Sequence, residues 1–171
     1  MFAASTKADS IRVLYSEINL GGGLFQYDYT FFNDLNPATF TDSNLYDVSF
    51  TLNSSATGAA VLLPSSWEQI QATGLLNVFA VNVGAPPEGN EIAPSTSLAG
   101  FRFLFDYRAG NLPFTASVTN PADLDQPLVF NGVSAPASIP EPATLILLGT
   151  GLGGIVLKVR KRLGEKNLVE E

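Results

Sequence analysis

The run Leu24-Phe25-Gln26-Tyr27-Asp28-Tyr29-Thr30-Phe31 decides the fold of the larger, N-terminal part of this chain. Aromatic side chains at 25, 27, 29 and 31 alternate with polar ones at 26, 28 and 30. A period of two places the rings on one face of a strand and the polar groups on the other, the pattern of a half-buried β-strand. Gly21-Gly22-Gly23 just before it is a turn, and residues 12–18 before the turn are strand-like. Residues 33–44 after it form a loop rich in Asn and Asp. Alternation resumes over 45–52, with Tyr46, Val48, Phe50 and Leu52 on one face. Residues 59–63, 75–83, 98–107, 114–118 and 128–133 bring the candidate strands to eight, separated by Gly, Pro, Asn and Ser. One stretch, 66–72, has the look of a helical turn capped by Ser65 or Ser66. Many short strands and almost no helical period predict an all-β body over 9–135, an antiparallel β-sandwich of the immunoglobulin-like or jelly-roll type.

Composition narrows the chemistry. The 171 residues include twelve Phe and five Tyr, enough apolar material for a folded core. There is no Cys and no His. Disulfides, thiolates and the commonest general base and metal ligand are therefore absent. Nucleophilic triads as usually built are excluded. A carboxylate pair is the remaining route to hydrolysis, but thirteen acidic residues before 143 make chance proximity easy. The body is expected not to be an enzyme and to need no cofactor. Residues 1–142 carry four Lys/Arg against thirteen Asp/Glu, a net of −9, whereas 143–171 carry five against three, a net of +2. An acidic body cannot replace the counterions on phosphates, so no nucleic-acid partner is expected.

Asp34, Asn36, Asp42, Asn44 and Asp47 fall in one region and are oxygen donors of the kind Ca²⁺ takes. Their spacing fits no EF-hand, and Asx residues favour loops for backbone reasons alone, so they are weak candidates and no metal is assigned. Asp123 and Asp125 are a lesser instance of the same pattern. Trp67 is the one Trp, and among so many Phe residues it reads as core or rim rather than as a sugar platform.

The tail carries a different signal. Residues 143–157 hold no charge, a length of about 22 Å as a helix. That is short of the ~20 residues that span a bilayer comfortably. Lys158 can snorkel and Val159 adds an apolar position, so 143–159 is expected to be one thin transmembrane helix. Lys158, Arg160, Lys161 and Arg162 follow as a basic stop, and such a cluster stays on the cytoplasmic side. Residues 160–171 are then a cytoplasmic tail. Two other readings exist for this segment, a buried C-terminal helix of a soluble domain and a plain tail anchor. A core helix rarely ends in four basic residues within five positions. Just upstream, Pro140-Glu141-Pro142 closes a linker over 136–142. Prolines fix φ, remove donors and push the preceding residue out of the helical region, so 139–142 should be an extended stub at the outer interface. Gly149, Gly151 and Gly154 match the dinucleotide fingerprint G-x-G-x-x-G, but too little chain follows for a βαβ unit. Gly149 and Gly153 also form G-x-x-x-G, a close-packing face for membrane helices.

Pro140-Glu141-Pro142, the Leu- and Gly-rich apolar run and the basic cluster together resemble the PEP-CTERM sorting signal over about residues 138–163. The resemblance implies recognition by an exosortase, a transpeptidase-like membrane enzyme of Gram-negative bacteria. It also implies processing near the motif and a mature protein at the cell surface, associated with exopolysaccharide. Residues 163–171 extend past the point where most family members end. In the body, Tyr27-Asp28-Tyr29 and Gly100-Phe101-Arg102-Phe103 are similar to strands found in many such proteins.

An exported chain needs an N-terminal apolar signal, and residues 1–8 contain none of adequate length. The start is expected to be internal, with 1–8 the remnant of a signal peptide cleaved after Ala8. The functional expectation is an exported surface or extracellular-matrix protein with a structural or adhesive role, in the inner membrane during transit with its C-terminus cytoplasmic. A membrane-anchored carbohydrate-binding module and an unprocessed single-pass protein with a periplasmic β-domain are the alternatives.

Overall fold

The computed structural model describes residues 9–53, 58–81 and 90–138. The chain divides into two units, Met1–Ala137 and Ser138–Glu171. The first unit is all-β, with ten strands among its described residues. The expected signal remnant over 1–8 and the expected transmembrane helix over 143–159 lie outside the described residues.

The decisive run forms β2 (Leu24–Asn33), and it pairs antiparallel with β1 (Ile11–Gly21) from Ile11↔Asn33 to Asn19↔Phe25. Gly21, Gly22 and Gly23 join them at φ of 84, 63 and 84°, a region other residues rarely enter. Tyr27, Tyr29 and Phe31 are buried, as alternation requires, while Asp28, Thr30 and Phe32 face outward. On the other flank of β2 lies β7 (Thr96–Phe105), which sets Phe101 against Tyr29 and Phe103 against Tyr27. The two aromatic motifs noted in the sequence are thus neighbouring strands, and Asp28 faces Arg102 between them. β4 (Gly58–Leu62) pairs with β7, and β10 (Ala135–Pro136) runs parallel to β1, giving the sheet order β10-β1-β2-β7-β4.

The second sheet has the order β5-β6-β3-β8-β9, built from β3 (Leu45–Thr51), β5 (Trp67–Ala72), β6 (Leu75–Ala80), β8 (Pro113–Val118) and β9 (Leu128–Val133). Its neighbouring strands all pair antiparallel. The helical turn expected over 66–72 is instead strand β5. Ala72 pairs with Leu75 across a turn closed by Gly74 at φ 77°, so a hairpin partner captures the segment. Ser66, the supposed cap, sits at φ 62°, outside the right-handed helical region, and Trp67 buries its ring. In β3 the register shifts between Leu45 and Asp47. Leu45 is consequently fully buried while Tyr46, expected on the core face, is half-buried.

The two sheets enclose one aromatic core. Phe50 of the second sheet stands 5.0 Å from Tyr29 and 6.5 Å from Phe103 of the first, measured between ring centres. Phe31 and Phe101 stack at 4.0 Å, and Trp67 meets Phe101 edge-on at 4.9 Å. Offset and edge-to-face pairs such as these add to the stabilisation from area burial. Asn33, buried at the end of β2, donates to the carbonyls of Ser43 (2.9 Å) and Ile92 (2.8 Å), tying two loops to the core.

Candidate functional site

The five acidic-region residues are each engaged locally. Asp34 pairs with the Arg12 guanidinium, which also lies 4.4 Å over the Phe32 ring. The Asn36 side chain accepts from the Ala38 amide at 3.0 Å, closing an Asx turn. Asp42 adopts φ 59°, a conformation that Asp tolerates better than most residues. The Asn44 carbonyl accepts from the Thr119 amide at 2.9 Å. Asp47 lies on β3 and accepts from Asn77 at 2.7 Å. Asp123 closes a second Asx turn by accepting from the Asp125 amide at 3.2 Å. Among the described residues no group of three or more acidic side chains is placed to hold a metal ion.

Alternation and register instead gather a polar strip on the outer face of the second sheet. Ile70, Asn77, Ser49, Thr115 and Asn131 form one row across the five strands. Glu68, Phe79, Asp47, Ser117 and Val129 form the next. Asn77 donates to Ser49 Oγ (2.6 Å) as well as to Asp47, and Thr115 donates to Asn131 Oδ1 (2.9 Å). Burial raises the Asp47 carboxyl pKa, partly offset by the Asn77 and Ser49 hydrogen bonds. The strip offers amides, hydroxyls and the carboxylates of Glu68 and Asp47 beside half-buried Phe79, a set suited to hydrogen-bonding a flat, hydroxyl-rich surface. Sequence alternation predicted strand β3, but the strip depends on cross-strand register, which no local pattern carries.

A cleft of ≈ 350 Å³ lies elsewhere, lined by Pro64, Asn90, Glu91, Ile92, Thr96 and Leu98 among others. Glu91 Oε1 is buried without a hydrogen-bond partner, and burial raises its pKa despite a bond from Asn44. Among the described residues Glu91 is the one acidic residue in that lining. Trp67 is 4 % exposed, its Nε1 donating to the Asn90 carbonyl at 2.8 Å, so it packs in the core and presents no sugar-stacking face.

Near the β1–β2 hairpin a tyrosine cluster is bound by polar contacts. Tyr27 donates to Glu17 Oε2 (2.5 Å) and accepts from the Gly110 amide (2.9 Å), while Arg108 donates to both Glu17 oxygens at 2.9 and 3.1 Å. These donors lower the Glu17 pKa. Tyr15 donates to Asn111 Oδ1 at 2.7 Å. The Tyr29 hydroxyl is buried without a partner.

Pro140, Glu141, Pro142, Gly149, Gly153, Lys158, Arg160, Lys161 and Arg162 all lie outside the described residues. Among the described residues no helix is long and apolar enough to cross a membrane. The described chain ends just past β10, where the Ala137 amide donates to the Tyr15 carbonyl at 2.7 Å.

The fold and its continuation define a two-sheet β-sandwich followed directly by a short C-terminal segment. Residues 138–162 match the family model described as the PEP-CTERM protein-sorting motif, so the chain carries that sorting motif. The match identifies those residues as a protein-sorting motif. No curated protein matches the chain. Among solved structures, the GH20 exo-β-N-acetylglucosaminidase from Vibrio harveyi, in complex with N-acetylglucosamine, is similar at 13 % identity and a TM-score of 0.44. That match covers 78 % of this chain and 19 % of the enzyme, so the chain spans about a fifth of its length. The chitin-binding domain of Chi18aC from Streptomyces coelicolor is similar at 14 % identity and a TM-score of 0.43, over 63 % of this chain and 91 % of that domain. A type I cohesin–dockerin complex from Clostridium thermocellum, Coh-OlpA-Doc918, is similar at 13 % identity and a TM-score of 0.40, over 75 % and 99 %.

Proposed function

We propose that this protein is an exported, non-catalytic surface or extracellular-matrix protein whose sandwich plays a structural or adhesive role. In this reading 143–159 crosses the inner membrane of a Gram-negative cell once, with 160–171 in the cytoplasm. An exosortase then acts near Pro140-Glu141-Pro142. The match of residues 138–162 to the sorting motif carries the reading. The charge pattern supports the orientation, since a basic cluster beside an apolar run stays in the cytoplasm. Its test is mass spectrometry of the mature C-terminus from cells with and without the exosortase. Loss of residues 143–171 only when the enzyme is present is the expected result. An intact tail in both strains would leave an unprocessed, single-pass protein.

The polar strip favours a second reading, in which the delivered sandwich binds polysaccharide, exopolysaccharide included. Retention of the full chain on insoluble polysaccharide, weakened several-fold by Asn77→Ala with Thr115→Ala, is the expected outcome. Equal retention of parent and variant removes the strip from consideration.

A further inference from the structure

The two sheets of the sandwich carry different charge. The five strands of the second sheet contain no Lys or Arg. Their outward positions include two carboxylates, Glu68 of β5 and Asp47 of β3, with Phe79 of β6 between them in one row. The connection from β8 to β9 adds Asp123 and Asp125 beyond Val118. Among the described residues the cations are Arg12 on β1, Arg102 on β7 and Arg108 just past β7. Each is held by a carboxylate: Arg12 by Asp34, Arg102 by Asp28 at 2.5 Å and Arg108 by Glu17 at 2.9 Å. The described basic groups thus belong to the first sheet and its continuation, already paired there.

A ligand lying along the polar strip has to suit this charge. Ionised carboxylates only accept hydrogen bonds, so the ligand must bring donors to Asp47 and to exposed Glu68. Neighbouring strands lie about 4.8 Å apart, which sets Glu68 and Asp47 about 10 Å from each other with Phe79 midway. That separation is about one Debye length at 0.1 M salt, so an anion placed over the ring feels both charges. An acidic polymer carries charge along its whole length and cannot cross the row without setting anions there. A neutral polysaccharide brings hydroxyl donors to the carboxylates and the apolar C–H face of a sugar ring to Phe79, and it meets no repulsion.

We propose that the strip accepts uncharged polysaccharide and rejects acidic polysaccharide, with Asp47 and Glu68 as the residues that discriminate. The proposal rests on the reading of the strip as a polysaccharide-binding face. Specificity is a difference of affinities, and a like charge set against the wrong partner supplies it without adding a contact to the right one.

Cellulose and chitin beads, each used plain and lightly carboxymethylated, present one backbone with and without anions. The full chain is expected to be retained on plain beads and about ten-fold more weakly on carboxymethylated beads at low salt, with the gap narrowing as salt is raised. Asp47→Asn with Glu68→Gln should recover most of the lost retention. Asp9→Asn with Asp106→Asn, which removes two charges flanking first-sheet strands β1 and β7, should recover little. Equal retention of the parent on plain and carboxymethylated beads, or equal behaviour of the two double variants, overturns the proposal and leaves the polysaccharide reading standing. If the parent is retained on neither plain matrix, that reading and the proposal fall together.

Discussion

Asn33 shows how one polar side chain can hold a loop-rich end together. It lies fully buried, donates to two carbonyls from loops distant in sequence and accepts from the Leu35 amide at 3.3 Å. Removing it strands the Ser43 carbonyl and the Leu35 amide, while the Ile92 carbonyl keeps the Leu45 amide at 2.9 Å, and a buried unmade hydrogen bond costs more than a made one contributes. Asn33→Ala is expected to lower unfolding free energy by about 2 kcal/mol, measured by urea denaturation. A loss below about half that would mean water replaces the amide. The tyrosines make a second residue-scale case. Burial, followed by donation to Glu17, pushes Tyr27 up to about 12, and burial raises Tyr15, Tyr29, Tyr46 and Tyr107 as well. Since the fold favours the protonated phenol, this stability is fully present below the ordinary value near 10 and is lost as pH rises through the folded value. Absorbance at 295 nm near pH 11 should therefore show far less tyrosinate in the folded chain than in urea, followed by a cooperative jump at alkaline unfolding. Coincident titration curves would show that the rings are not sheltered. Glu17 works in the opposite sense. Tyr27 and Arg108 lower its pKa, so its contribution is present above the ordinary carboxylate range and fades as pH falls through the folded value. A Glu17→Gln variant should thus differ most from the parent near neutral pH and converge with it in acid, as read by thermal midpoints across pH.

At the scale of elements, strands declare themselves where side chains alternate without interruption. β2 was legible to within two residues because its aromatic and polar positions never slip. β7 is legible as a strand but not in its detail, since Gly100 inserts an extra residue between Thr30↔Ala99 and Tyr29↔Phe101 and resets the alternation. Only its φ of 101° reveals the bulge, and that angle comes from pairing with β2 rather than from neighbours in sequence. β5 defeated local reading for a related reason: its capture by β6 is a tertiary event, whereas Ser65-Ser66 before a polar stretch imitates a helix start. The Asn/Asp loop was legible as a loop, but its hydrogen bonds were not, because a partner such as Arg12 comes from another strand. Gly100→Ala tests the bulge. Its new Cβ would have room, with Pro64 Cγ 3.8 Å away, so the penalty should be the backbone cost alone. About 1–2 kcal/mol is expected, with the aromatic near-ultraviolet circular dichroism unchanged. A larger loss with altered aromatic signals would mean that the register itself slips.

For the whole molecule, the division of labour falls at one peptide. The Ala137 amide makes the last described hydrogen bond to the sandwich, and the sorting motif begins at Ser138. A linear motif needs no fold to be read, which is why the tail was the part most legible from sequence. In the proposed reading, the two prolines bar residues 139–142 from a helix. With Pro140→Ala and Pro142→Ala together, the chain regains two backbone donors and loses the bar on helical φ/ψ at 139 and 141. A helix beginning at 143 could then propagate upward through the processing site, closing the backbone into its own hydrogen bonds. The double variant is expected to accumulate unprocessed in cells that contain the exosortase, while the unfolding midpoint of its sandwich stays at the parent value. Restoring either proline alone should recover part of the processing, because each blocks helix formation at a different residue. If the double variant is processed at the parent rate, an extended backbone is not what the enzyme reads. The Glu141 carboxylate would then be the next group to replace.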